Sequence, residues 1–151
     1  MLRVPITHVR NNHLTESFVL SPVKVFKNVA LNSGAGIFAV DINLSAKSSV
    51  SIINSYILSN TAVTGAGVCS LSVNVIVATS TIMGNEAADV GGGVYVVIDT
   101  PGFRQLDVNI SNNRILNNSA SSGGGINLKG TKLSRIRCNV EESDFEGNNA
   151  V

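Results

Sequence analysis

The chain contains no Trp, and aromatic residues make up only 5% of its 151 positions. Charged residues are scarce too, at 14%, against roughly 25% in an ordinary globular protein. The formal net charge is +1, so there is no electrostatic case for binding nucleic acid or an anionic membrane. No apolar run reaches the ~18–20 residues that a membrane helix needs. Cys69 and Cys138 are the only cysteines, too few for a disulfide framework and wrongly spaced for a metal site. Met1 to Arg10 lacks the apolar h-region of a secretory signal. That leaves an intracellular protein or part of a longer precursor. Hydrophobic residues reach 44%, which excludes disorder, since disorder requires low hydrophobicity.

What the chain has instead is 20 Val, 18 Asn, 18 Ser and 14 Gly. Val with Asn and Gly suggests strands joined by tight turns. The Asn residues recur in a repeat that reads apolar-x-x-Asn-x-Ala, with its Asn at Asn28, Asn60, Asn85, Asn118 and Asn148. Four of the repeats continue into Gly-x-Gly-apolar, with the glycines at Gly34 and Gly36, Gly65 and Gly67, Gly91 and Gly93, and Gly123 and Gly125. The steps from Asn to Asn are 32, 25, 33 and 30 residues.

Aligning the repeats on the Asn exposes further columns. Ten positions before it stand Phe18, Val50, Val75, Val108 and Cys138, and eight before it Leu20, Ile52, Val77, Ile110 and Val140. Three before it stand Val25, Ile57, Ile82, Ile115 and Phe145. Five before it the residues are mostly small: Val23, Ser55, Ser80, Asn113 and Ser143. Alternation with period two marks strands with one face buried. Apolar columns at this repeat length mark a solenoid, in which each coil buries its face against the next.

Short coils of small and β-branched residues, turned by Asn and Gly, fit a parallel β-helix. The Asn is expected at a bend, where its tolerance of left-handed backbone angles is useful. Stacked Asn side chains about 4.8 Å apart would form a hydrogen-bonded ladder. The Gly-x-Gly is expected to make a second bend with angles barred to other residues. From the second Gly to the next strand the shortest coil takes 8 residues, Gly67 to Val75. The longer coils place insertions near 41–48, 99–106 and 129–136, at one corner. Insertions at equivalent places line one face of a solenoid, which is often its binding face.

Residues 1–17 read as the end of a preceding coil or an N-terminal segment, and 18–151 as the repeats. No polar capping helix is evident at either end, although solenoids use caps to protect their edges. The expectation is an uncapped segment that joins further coils or stacks on another copy.

The repeated Phe/Ile-x-x-Asn-x-Ala followed by Gly-rich-apolar resembles the repeats of the polymorphic outer membrane proteins, whose signatures are FxxN and GGA(I/L/V). Phe145-Glu146-Gly147-Asn148 carries FxxN in full, while three repeats have Ile in place of Phe. The resemblance implies a right-handed parallel β-helix of the pectate-lyase-like class, here of about four to five coils. It also implies an extracellular or cell-surface location and a structural or adhesive role, with fibres built by end-to-end stacking. The alternative is part of a carbohydrate-active β-helix enzyme, or a carbohydrate-binding module, with its site outside this chain.

Enzymes of that class cluster carboxylates and a cation on one outer stack. No such column forms here, because Asp41 aligns with Ser72, Ile98 and Gly130, and Asp99 with Ile42 and Val73. No catalytic residue, cofactor or metal is therefore expected. His8 and His13 have no neighbouring ligands, and the glycines lack the Asp of a calcium-binding nonapeptide. Cys69 and Cys138 read as unpaired core or strand thiols, several rungs apart and beyond disulfide reach. Asn43, Asn109 and Asn117 open Asn-x-Ser sequons, candidate glycan acceptors in a secreted eukaryotic protein. Lys129, Lys132, Arg135 and Arg137 form a small basic cluster at the insertion corner. They are a candidate face for carbohydrate or a cell-surface ligand, and otherwise a solvated edge.

Overall fold

In a computed structural model, residues 7–11, 17–41, 48–99 and 105–151 are described. They fold entirely as strands and turns. The first rung holds β1 (Thr7–Asn11), β2 (Ser17–Leu20) and β3 (Lys24–Phe26). The second holds β4 (Ile37–Asp41), β5 (Ser49–Ile53), β6 (Tyr56–Leu58) and β7 (Thr61–Thr64). The third holds β8 (Val68–Leu71), β9 (Asn74–Ala78), β10 (Thr81–Met83) and β11 (Glu86–Val90). The fourth holds β12 (Val94–Val97), β13 (Gln105–Ser111), β14 (Arg114–Leu116) and β15 (Ser119–Ala120). The fifth holds β16 (Ile126–Lys129), β17 (Arg135–Glu141), β18 (Asp144–Glu146) and β19 (Asn149–Ala150).

Corresponding strands pair in parallel from rung to rung and make four walls. Wall A is β1-β4-β8-β12-β16, wall B is β2-β5-β9-β13-β17, wall C is β3-β6-β10-β14-β18 and wall D is β7-β11-β15-β19. The chain is thus a parallel β-solenoid of about four turns, as the repeat columns predict. Within the N-terminal segment, β1 pairs with β4 and so supplies wall A of the first rung.

The columns meet in register. Phe18 pairs with Val50, Val50 with Val75, Val75 with Val108, and Val108 with Cys138. In wall C, Val25, Ile57, Ile82, Ile115 and Phe145 follow one another in the same way. Together with the inward residues of wall A they make one apolar core that runs along the axis. A second, narrow cluster of Ala35, Ala62, Ala66, Ala87 and Ala120 joins the corner after the Asn to the Gly-x-Gly bend.

The Asn column is hydrogen-bonded along its whole length. Nδ2 of Asn28 donates to Oδ1 of Asn60 at 3.1 Å, and the links Asn60–Asn85, Asn85–Asn118 and Asn118–Asn148 are each 2.9 Å. Each Oδ1 also accepts the backbone N–H of the Asn one rung earlier, as Oδ1 of Asn85 does from Asn60 at 3.0 Å. The second Nδ2 proton of Asn85 goes to the Ile57 carbonyl at 3.1 Å. The Asn85 side chain therefore uses both donors and both acceptor sites while fully buried.

Two details of the corners differ from the expectation. The left-handed residue is not the Asn but the one before it: Lys27 (φ 54°), Ser59 (53°), Gly84 (63°), Asn117 (51°) and Gly147 (63°). The Asn is selected for its side chain. Likewise, only the first glycine of each Gly-x-Gly has positive φ, as at Gly65 (61°). The second packs against its neighbour rung, so that a Cβ on Gly67 would run into the Gly93 carbonyl oxygen. Rung stacking, rather than backbone freedom, requires it.

A second ladder occupies the column five before the Asn, which looked merely small. Backbone N–H groups of Val23, Ser55, Ser80 and Asn113 donate to the side-chain oxygens of Ser55, Ser80, Asn113 and Ser143, at 2.9–3.2 Å. It too follows a left-handed position, occupied by Asn54, Thr79, Asn112 and Glu142.

Two stability predictions follow from these corners. Asn85→Ala removes the Oδ1 that accepts both the Asn60 backbone N–H and the Asn60 Nδ2, at about 1–3 kcal/mol each. Urea unfolding is expected to show a loss of at least about 3 kcal/mol, against no more than about 0.5 kcal/mol for the exposed Asn109→Ala. Thr79 is a β-branched residue at φ 51°, a strained combination. Thr79→Gly is expected to raise the unfolding midpoint, and a lowered midpoint would contradict the strain argument.

Candidate functional site

Inside the solenoid the Asn and Ser ladders serve stacking, so a site for another molecule is sought on the outer walls. The outer face of wall A is unusual. The strands after each Gly-x-Gly are apolar at consecutive positions, Val68-Cys69 and Val94-Tyr95-Val96-Val97. Such runs indicate strands buried on both faces. Val68, Val94 and Val96 enter the core, while Cys69, Tyr95 and Val97 form a separate buried cluster joined by Phe38, Leu71 and Val90. Register stacks Phe38, Cys69, Tyr95 and Asn127 in one outer column, and Leu71, Val97 and Lys129 in the next.

Beside this column lies a groove of about 360 Å³, within the usual range for small-ligand sites. Leu71, Val97 and Ile98 give it an apolar floor, and Tyr95, Asp99, Lys129 and Thr131 bring polar groups to it. Burial raises the pKa of the Tyr95 phenol, with smaller contributions from Cys69, Asp89 and Asp99. The phenol therefore stays protonated at neutral pH and can donate a hydrogen bond. The Asp99 backbone N–H is held by Ser72 Oγ at 3.3 Å. A phenol, a carboxylate, an ammonium and a hydroxyl around an apolar strip can recognise a small polar molecule.

The groove joins one member of the predicted basic cluster. Lys129 ends wall A and lines it. Lys132 lies in a tight turn closed by the Ser134 N–H to Thr131 carbonyl bond. Arg135 and Arg137 are exposed on wall B, paired with Gln105 and Asp107. Lys129 on wall A, Lys132 in the turn, and Arg135 and Arg137 on wall B are therefore not gathered on one face.

Of the sequons, Asn109 is exposed in mid-strand between Ile76 and Asn139 of the adjoining rungs. Asn117 is exposed at a left-handed corner. Asn43 and His13 lie outside the described residues, as do most of the insertions near 41–48 and 99–106; His8 is part of β1. Among the described residues no three His, Cys, Asp or Glu side chains gather as a metal site would require.

The two thiols are free, but only one is a core residue. Cys69 is buried in the outer cluster of wall A. Cys138 occupies its expected core column, yet is exposed, because within the described residues only Val108 stacks against it. Being apolar in the repeat did not make it buried; a rung on each side does that.

Compared with protein-family models, curated proteins and solved structures, the chain finds no match.

The thiols provide a chemical test of this arrangement. Burial pushes the Cys69 pKa up to about 12, which leaves almost no thiolate at pH 8. Burial raises that of Cys138 as well, but the residue is exposed. Iodoacetamide under native conditions is expected to modify Cys138 alone, and Cys69 only after denaturation, as read by peptide mass spectrometry. Equal rates would mean that the wall A cluster opens freely.

Proposed function

We propose that the chain is a non-enzymatic structural or adhesive segment of an extracellular or cell-surface protein, its rungs stacking on further coils or on other copies. The observation that carries this reading is the unbroken Asn ladder. Every rung spends its corner on holding the next, which suits a scaffold that extends along one axis. Rung five continues the pattern, with Cys138, Val140 and Phe145 in the core columns and Asn148 in the ladder. Val140 and Phe145 are 45% and 44% exposed there. The likeness to polymorphic outer membrane protein repeats supports the same reading.

A second reading, a carbohydrate-binding module or part of a carbohydrate-active enzyme, is favoured by one observation, the mixed polar and apolar groove beside Tyr95. Two measurements separate the readings. Antibodies to this chain are expected to label intact cells carrying the parent protein; labelling only after permeabilisation overturns the surface location. Electron microscopy is expected to show elongated particles with a repeat of about 4.8 Å along the axis. Release of reducing ends from pectin or similar acidic glycans by the full-length protein would favour the second reading over the first.

A further inference from the structure

Wall C presents two outer columns. One runs Lys24, Tyr56, Thr81, Arg114, Asp144, and the other Phe26, Leu58, Met83, Leu116, Glu146. The residues between them, Val25 to Phe145, point into the core. The second column is apolar over four rungs, on a surface where a single-sided sheet ordinarily shows polar side chains. Leu116 is buried among its neighbours, Phe26 and Leu58 are partly covered, and Met83 and Tyr56 are 37% and 54% exposed.

The charges on this wall are graded. The first rung carries Lys24, with Lys27 at its corner, and the fifth carries Asp144 and Glu146. Lys24 Nζ stands 5.6 Å from the Phe26 ring centroid, so the cation lies over the apolar column instead of pointing away from it. Arg114 adds a cation on the fourth rung, beside Asp144; the first rung is still basic and the fifth acidic, so these two rungs are complementary when one copy is reversed.

We infer that wall C is an interaction surface for a second copy of this chain, met face to face with the solenoid axes antiparallel. The two-fold axis lies in the interface, along the strand direction, and passes through β10. It sets Lys24 against the partner's Asp144, Tyr56 against the partner's Arg114, and Leu58 against the partner's Leu116. Met83 meets the partner's Met83 on the axis. Because the operation is isologous, each unlike pair occurs twice. A parallel arrangement, rung one on rung one, would instead bring the two Lys24 rungs together and set Asp144 against the partner's Glu146. The charge gradient therefore selects the orientation, as electrostatic complementarity does in other interfaces. The wall is about 10 Å wide and 19 Å tall before its corners are added. That footprint is well below the roughly 1,000 Å² of a stable interface, so the contact is a weak, transient one. The inference does not depend on an adhesive role, and it predicts a closed dimer, whereas end-to-end stacking predicts open polymers.

The test is sedimentation velocity of the full chain from about 10 μM to 1 mM, the range for a contact this small. The expected result is a monomer–dimer equilibrium that saturates at twice the 15.8 kDa chain mass and weakens with added salt. Lys24→Glu and Asp144→Lys, each alone, are expected to weaken dimerisation at least about fivefold through like-charge opposition. Combined in one chain they are expected to restore it to within about twofold, because the pair is then reversed. Both side chains are exposed, and an unchanged urea midpoint certifies each variant as folded. A monomer throughout the range overturns the proposal. So does a dimer indifferent to the single changes, or a double variant no better than the singles.

Discussion

The structure depends on one constraint: a buried backbone amide at a corner must find an acceptor. Along the walls the parallel ladder provides it. At the corners the chain passes through a left-handed residue, such as Ser59 or Asn117, and the next N–H no longer faces a backbone carbonyl of the adjoining rung. Leaving that N–H bare would cost about 1–3 kcal/mol at every corner. The Asn side chain removes the cost by accepting the orphan N–H and then donating in its turn. The Ser and Asn column does the same at the second corner with a shorter reach.

The remaining composition follows. A ladder of side chains holds only if successive rungs superpose at the strand spacing of about 4.8 Å. Superposition puts identical positions over one another, so each interior column must accept its own kind. Val and Ile stack well in parallel strands; Trp would leave a mismatch above and below. At Gly36, Gly67 and Gly93 the adjoining backbone comes too close for anything larger. The low aromatic content with which the chain was first met is thus a packing requirement, and the abundance of Asn and Gly counts corners.

How much of this was legible depended on whether a position repeats in identity or only in role. Asn28 to Asn148 and the columns of Val50 and Ile57 recur as the same chemical type, and pairing places each in register. The left-handed position is filled by Lys27, Ser59, Gly84, Asn117 and Gly147, which share no chemistry, so nothing in the letters marks it. The second ladder was half visible: Ser55, Ser80, Asn113 and Ser143 were seen as small, although all four also carry an acceptor. The exposure of Cys138 was not legible at all, since burial belongs to the pair of rungs and not to the residue. The wall A cluster had a signal, the consecutive apolar residues Val94 to Val97, which period-two reasoning passes over.

Interior and exterior consequently carry different kinds of information. Translation from rung to rung forces the interior toward sameness, and a uniform column cannot distinguish one rung from another. Outward positions escape this, because nothing stacks on them but their own lateral neighbours. It is there that the rungs differ: Lys24, Tyr56, Thr81, Arg114 and Asp144 share a column without sharing a property. Wall A varies in the same way, passing from Phe38 and Cys69 through Tyr95 to Asn127. A solenoid of this kind separates the two demands on a sequence. The ladders hold the shape, and any recognition that the protein performs has to be written on the outer columns, where a substitution alters a surface without disturbing the stack.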